Sequence, residues 1–134
     1  MTVNWMTEKY IKWLPINGIP LPLDLEELCK NEHGLTLLLN SEDHSDQFLH
    51  LHFSECEAIK EIGDEFKSKF WHEIDLEEDC ALFIVEKSEW LESFHIESEN
   101  HFRELPLQHY VIWTTENWIE ILSSVKPLVQ WKNK

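Results

Sequence analysis

The spacing of apolar residues predicts five strands along the chain. Alternating or continuous apolar runs of four to seven residues, rich in Leu, aromatic and β-branched side chains, are typical of strands. Such runs occupy residues 35–39, 48–53, 80–86, 109–114 and 128–131. The polar stretch 40–46 between the first two runs has the composition of a hairpin loop, so these two strands are expected to pair as antiparallel neighbours.

Four other segments favour helices. Three of them, each preceded by a residue that commonly caps a helix N-terminus, are residues 25–30 after Asp24, residues 89–94 after Ser88 and residues 116–122 after Thr115. Apolar residues three or four apart also favour a helix over 55–70, although 58–62 alone would fit a strand. We therefore expect a single α+β domain spanning residues 1–134: a mainly antiparallel sheet of about five strands with two to four short helices packed on it.

Composition and charge restrict the function. The 134 residues include 26 acidic and 11 basic side chains, so the net charge is −15, while 43% hydrophobic residues predict a folded core. A chain this acidic lacks the clustered Lys and Arg that neutralise phosphates, which argues against nucleic-acid binding and against docking on an anionic membrane. The chain shows no secretory signal, no spanning apolar run and no disulfide-like cysteine spacing, so we expect a cytoplasmic location.

The acidic residues are concentrated in the middle of the chain. Residues 42–104 contain 19 of the acidic side chains but only five of the basic ones. Together with the aromatic content, this predicts an acidic surface that binds a basic protein partner, although a merely solvated acidic face is the simpler interpretation. The candidate contact residues are Glu57, Glu61, Glu65, Trp71, Asp75, Glu77, Glu78 and Asp79. The first three share a face if 55–70 is helical.

A histidine cluster offers an alternative function. His50 and His52 project from the same face of a predicted strand, with His44 shortly upstream and Glu55 shortly downstream. Imidazole and carboxylate groups are Zn²⁺ ligands, so these four residues could form a small metal-binding or hydrolytic site. Two histidines separated by one residue are common by chance, and a solvated sheet face competes with this interpretation. No other cofactor is expected.

No familiar catalytic motif is present. The chain lacks GxSxG, P-loop and GxGxxG patterns, and its three glycines are too few for a phosphate-binding loop, so a non-catalytic role is favoured over an enzyme. The seven tryptophans leave a third interpretation open. They could join copies of the chain in a structural homo-oligomer such as a homodimer, through exposed aromatic side chains or an edge strand.

Two segments carry a resemblance to known proteins. Residues 107–123 read LQHYVIWTTENWIEILS and are followed by Pro127, and residues 82–91 read LFIVEKSEWL. They resemble the C-terminal half of small acidic bacterial single-domain proteins, in which a His-Tyr strand leads through Thr into a short helix and a last strand. Such proteins are often of the toxin-immunity type. The resemblance implies an immunity protein that neutralises a basic toxin domain by protein–protein contact, and it carries no catalytic residue.

Overall fold

The computed structural model of the protein describes residues 8–63 and 80–134. These residues form strands β1 (Lys9–Lys12), β2 (Asp24–Asn31), β3 (Gly34–Asn40), β4 (Gln47–Phe53), β5 (Ala58–Gly63), β6 (Leu82–Glu86), β7 (Gln108–Trp113), β8 (Asn117–Ser123) and β9 (Leu128–Asn133). A short 3-10 helix, Glu42–His44, lies between β3 and β4, and helix α1, Glu89–Glu97, follows β6. Within these ranges no helix is long and apolar enough to cross a membrane.

The strands form two antiparallel sheets. A five-stranded sheet has the order β1-β6-β7-β8-β5, and a four-stranded sheet has the order β2-β3-β4-β9. The predicted hairpin is confirmed, because β3 pairs with β4 and Leu37 lies opposite Leu51. The last strand, β9, is also an edge strand as expected, since it pairs with β4 in the four-stranded sheet.

The two sheets share one hydrophobic core. Alternate residues point inwards, so Leu35, Leu37 and Leu39 of β3 are fully buried and pack in the same cluster as Ile112 of β7 and Ile119 of β8. Fully burying an aliphatic side chain of this size contributes about 1.5–3 kcal/mol. The alternation of apolar and polar residues in β3 and β4 therefore fixes which face of the four-stranded sheet is covered.

The expected α+β class is wrong, because the described residues are nearly all β. The helices predicted at 25–30 and 116–122 are strands β2 and β8, and within 55–70 the structure forms strand β5. Asp24 and Thr115 therefore do not cap helices. Among the described residues, only α1 remains of the predicted helices, and the hydroxyl of its predicted cap, Ser88, accepts a hydrogen bond from the Leu91 N–H.

Each wrong helix has a physical cause. In β2, the pairing with β3 is shifted by an irregularity between Leu25 and Glu27, so Leu25 and Leu28 both pack against the core although they are three residues apart. A bulge thus imitates helical spacing. Strand β8 lies between β5 and β7 and is buried on both faces, so its apolar run is nearly continuous and does not alternate.

Candidate functional site

An acidic end forms where both sheets terminate on the same side of the molecule. The backbone N–H of Thr115, in the turn between β7 and β8, donates to the carbonyl of Leu23 just before β2. Asp24 pairs with Asn40 across the four-stranded sheet, and the loop after Asn40 leads into the 3-10 helix. Six exposed carboxylates lie around this junction, and we call them the acidic end: Asp24, Glu26, Glu42, Asp43, Glu61 and Glu116.

Neutral groups hold several of these carboxylates. The Asn40 side-chain amide donates to Glu26 (2.5 Å), the Asn117 amide donates to Glu61 (2.5 Å), and the Thr115 hydroxyl donates to Asp24. An amide or a hydroxyl orients a carboxylate but leaves its charge uncompensated, unlike Lys or Arg. The acidic end therefore combines fixed side chains with a full set of negative charges. Lys132 on β9 and Lys134, the residue after that strand, lie at this end, at the opposite edge of the four-stranded sheet from β2.

Two of the predicted partner-binding residues can be placed. Glu61 belongs to the acidic end, whereas Glu57 lies before β5 and accepts hydrogen bonds from the backbone N–H (2.9 Å) and hydroxyl (2.8 Å) of Ser124. Because β5 is a strand, these two carboxylates sit about 13 Å apart along it and do not form a helical face. The other candidates, Glu65, Trp71, Asp75, Glu77, Glu78 and Asp79, lie outside the described residues.

A second cluster of polar side chains is buried under α1. Ser88 Oγ lies 2.7 Å from His109 Nδ1, and His109 Nε2 lies 2.8 Å from Glu120 Oε1. Ser88, His109 and Glu120 are only 8%, 2% and 3% exposed. We call these three residues the Ser88 relay. It joins the start of α1 to the outer face of β7 and β8, that is, the face opposite the shared core.

Charged and aromatic neighbours complete this cluster. Lys60 Nζ lies 3.5 Å from Glu120 Oε2 and 4.4 Å from the ring centroid of Trp90, which packs edge-on against His109. The Glu8 carboxylate accepts a hydrogen bond from the first N–H of α1, that of Glu89 (2.8 Å). Burial raises the pKa of Glu8 above its usual value despite that hydrogen bond. The helix is therefore fixed to the five-stranded sheet largely through polar contacts.

An open cleft of about 530 Å³ lies beside the relay. Six of the residues that line it are Lys9, Lys87, Ser88, His95, Arg103 and Gln108. His95 is 7% exposed, and its Nδ1 has no hydrogen-bond partner among the described residues. Arg103 donates to both carboxylate oxygens of Glu92, which lowers the pKa of that carboxyl group. The lining of the cleft therefore contains three cations, Lys9, Lys87 and Arg103, together with two carboxylates, Glu86 and Glu92.

Comparison with known proteins finds no match, whether with protein-family models, curated proteins or solved structures. The likeness of residues 82–91 and 107–123 to toxin-immunity proteins therefore stays a prediction. Both segments contribute to the Ser88 relay, since they contain Ser88 and the pair His109 and Glu120. The geometry of the two clusters is the basis for the proposals below.

The four predicted metal ligands lie within the described residues, but their side chains do not form one cluster. His50 and His52 share the outer face of the four-stranded sheet, with ring centroids 6.4 Å apart, whereas His44 stacks on Trp131. Glu55 follows β4, where its carbonyl accepts a hydrogen bond from Ser123. Over residues 8–63 and 80–134, no three such side chains form a group that could hold a metal ion. Burial, together with Lys132 and His52, lowers the pKa of His50.

The Ser88 relay was not anticipated as a unit. Ser88 was expected only as a helix cap, His109 as a strand residue and Glu120 as part of a helix. A signal was nevertheless present, because His109 and Glu120 are the titratable residues inside the two most apolar segments of the C-terminal third. A titratable group inside a buried strand requires a partner. Their sequence separation gave no indication that Ser88 would complete the set.

Proposed function

We propose that the protein is a binding protein that captures a basic protein partner through its acidic end. The observation that supports this most directly is the way Asp24, Glu26 and Glu61 are held by hydroxyl and amide donors. These donors are neutral, so they direct the carboxylates without cancelling their charge, which is the arrangement that attracts and orients a cationic surface.

The contribution of these charges is expected mainly in the association rate. An exposed ion pair contributes only about 0–1 kcal/mol to affinity, because water and salt screen it. The summed field of six carboxylates at one end acts over longer distances, within a Debye length of about 8 Å at physiological salt. Such fields raise association rates by about 10-fold or more and lose this effect as ionic strength increases.

The finer form of this proposal is toxin immunity. It rests on the resemblance of residues 82–91 and 107–123, which implies that the partner is a basic toxin domain, and we propose with it that the protein acts in the cytoplasm. Glu57, at the other end of β5, and the candidates Glu65, Trp71, Asp75, Glu77, Glu78 and Asp79 remain proposed contacts in addition to the acidic end. Binding of this kind would place the partner's cationic surface against the acidic end, where β5 ends at Gly63.

The experiment compares two variants of equal charge change. Asp24→Asn, Glu61→Gln and Glu116→Gln are combined in one variant, in which the new amide oxygens of the first two can still accept their hydrogen bonds. Glu32→Gln, Glu97→Gln and Glu104→Gln are combined in a control that leaves the acidic end intact. The probe is the basic domain encoded by the reading frame beside this gene, and its association rate is measured by stopped-flow at several salt concentrations.

We expect the first variant to associate about 10-fold more slowly at low salt and the control to associate at nearly the wild-type rate. Equal losses in both variants would show that only net charge matters and would refute a role for the acidic end. A rate that is indifferent to salt would refute electrostatic capture altogether. Failure of the neighbouring domain to bind, with intact binding of another basic domain, would remove the immunity form alone.

A further inference from the structure

The contacts of the Ser88 relay define one arrangement of its protons when His109 is neutral and Glu120 is ionised. An ionised carboxylate only accepts hydrogen bonds, so the 2.8 Å contact with Glu120 requires the proton of a neutral His109 to be on Nε2. Nδ1 is then a bare acceptor, and the contact of 2.7 Å requires the Ser88 hydroxyl to donate to it. Ser88 therefore directs its proton at a base whose tautomer is set by a buried carboxylate.

The oxygen of Ser88 has a second defined contact. It accepts a hydrogen bond from the Leu91 N–H at 2.9 Å, at the N-terminal end of α1. A hydrogen bond of this kind, together with the positive end of the helix, favours negative charge on the oxygen once the proton has left. Ser88 is also one of the residues that line the open cleft, so a molecule in the cleft would lie against this residue.

We propose that Ser88 is a catalytic nucleophile for acyl transfer from small carboxylic esters that enter the cleft. Ser88 Oγ attacks the carbonyl carbon and forms a C–O bond while its proton moves to His109 Nδ1. The tetrahedral centre then releases the alcohol, which takes the proton from Nδ1 and leaves an acyl-serine. Water hydrolyses this ester by the same route, giving a carboxylic acid and free Ser88. No redox partner is needed.

Other groups act through the relay or on the substrate. Glu120 is a positioning residue, because it orients His109 and stabilises the imidazolium that forms when the proton is transferred. Lys60 balances the charge of Glu120 from its other oxygen. Lys9 and Lys87 line the cleft near Ser88 and supply positive charge for the tetrahedral oxyanion. Flexible ammonium groups are less organised than paired backbone N–H donors, so slow turnover is expected.

This inference is independent of the proposed binding function. His109 lies at the end of β7 that is opposite the turn to β8, about 13 Å along that strand from the acidic end, whereas Glu120 is nearer, because its cross-strand partner Lys60 adjoins Glu61. The acidic-end variants leave Ser88, His109 and Glu120 unchanged. Either proposal can therefore fail while the other stands.

The test uses the full chain and a fluorophosphonate probe, which phosphonylates activated serines. Mass spectrometry of the labelled wild-type protein should locate the probe on Ser88. A p-nitrophenyl acetate assay should release a burst of about one p-nitrophenol per chain as the acyl-serine accumulates. Ser98→Ala is the matched control, because Ser98 is a part-buried serine at the other end of α1 whose hydroxyl donates to a helix carbonyl.

Three variants assign the roles. Ser88→Ala should abolish both the labelling and the burst. Ser88→Asn should abolish them too, and it keeps a side-chain oxygen that can cap the helix, so it tests the proposal even if Ser88→Ala fails to fold. His109→Gln should slow labelling by about 100-fold or more. Glu120→Gln should slow labelling and change its pH profile, and Glu120→Asp should restore part of the rate, which a purely structural role would not do.

Several results would overturn the proposal. Labelling of wild type no faster than that of folded Ser88→Asn would do so, as would a label located on another serine. An equal burst from Ser88→Ala would show that ester cleavage occurs elsewhere on the protein. A pH profile unchanged in folded Glu120→Gln would remove the positioning role of the carboxylate.

Discussion

The buried contact between His109 and Glu120 makes the strongest stability prediction. Both side chains are almost completely removed from water, at 2% and 3% exposure, and their nitrogen and oxygen atoms lie 2.8 Å apart. Replacing Glu120 by Ala removes the acceptor and leaves the Nε2–H of His109 buried without a partner. Lys60 loses a charge partner too, but its side chain is 39% exposed and can turn towards water.

The size of the effect follows from that difference in exposure. Leaving a buried donor such as the Nε2–H of His109 without its acceptor costs about 1–3 kcal/mol, because that group stays desolvated. This is a large part of the about 5–15 kcal/mol by which domains are stable. The loss from the Lys60 contact adds at most about 1 kcal/mol, since a partly exposed pair is screened. Glu120→Gln keeps an acceptor for His109 and should cost only about 1–2 kcal/mol.

Urea unfolding followed by tryptophan fluorescence measures these changes. Trp90 packs edge-on against His109, so its emission reports on this part of the structure. With a urea dependence of about 2 kcal/mol per molar, Glu120→Ala should lower the unfolding midpoint by about 1–2 M. Combining His109→Leu with Glu120→Leu should recover much of that loss, because an apolar pair leaves no buried group unpaired.

A small loss of stability in Glu120→Ala would contradict this reasoning. A Glu120→Ala variant within about 0.5 kcal/mol of wild type, a value typical of surface substitutions, would show that His109 and Glu120 do not depend on each other. A double replacement whose loss equals the sum of the two single losses would lead to the same conclusion. The Ser88 relay would then have no buried carboxylate to set its tautomer, and the inference on Ser88 would lose its basis.

Three further predictions concern other parts of the chain. Burial raises the pKa of Glu8, so the folded state retains this proton to higher pH than the unfolded state, and the associated stability is present below pH 4.5 and lost as the pH rises through the folded pKa. The stability of Glu8→Gln relative to wild type should therefore be greater at pH 7 than at pH 4. A difference in urea midpoints between the two proteins that is the same at both pH values would refute this. Gly34 has φ of 114°, and a Cβ on it would overlap the Phe53 carbonyl oxygen, whereas a Cβ on Gly18, which has φ of 76°, would meet nothing within 4 Å. Gly34→Ala should therefore lower the free energy of unfolding by well over about 1 kcal/mol, and by more than Gly18→Ala does. Equal melting temperatures of the two variants would contradict this. Lys132→Gln should raise the pKa of His50 in an NMR titration, because the Lys132 charge contributes to lowering it, while Lys126→Gln should leave it unchanged.

Periodicity predicts the shared core well. In β3 and β4 one face is buried and the other is not, so Leu35, Leu37, Leu39, Leu49 and Leu51 alternate with half-exposed residues and the hairpin could be recognised. The short helix α1 could also be predicted, because a serine cap is a local feature that does not depend on the rest of the fold.

Periodicity fails where tertiary structure decides. The apolar residues Trp118, Ile119, Ile121 and Leu122 are spaced as on a helix, yet all four are buried because both faces of β8 are covered. Their strand conformation depends on pairing with β5 and β7, which no local window contains. Because the segment was predicted as a helix, on which Glu120 would be exposed to solvent, Glu120 was not recognised as a buried residue. Once β8 is a strand, Glu120 must be buried, and its partners His109 and Lys60 follow from the cross-strand register.

The buried carboxylate of the Ser88 relay and the exposed carboxylates of the acidic end have different kinds of partner. Glu120 is the buried carboxylate of the described residues, and it has a cation and an imidazole beside it. Glu26 and Glu61 of the acidic end are instead held by neutral amides. If negative charge served only solubility, ordering these side chains would cost conformational entropy without benefit. Fixing their direction while preserving their charge reduces the ordering cost of a later contact, as expected for a surface that is preorganised for a basic partner.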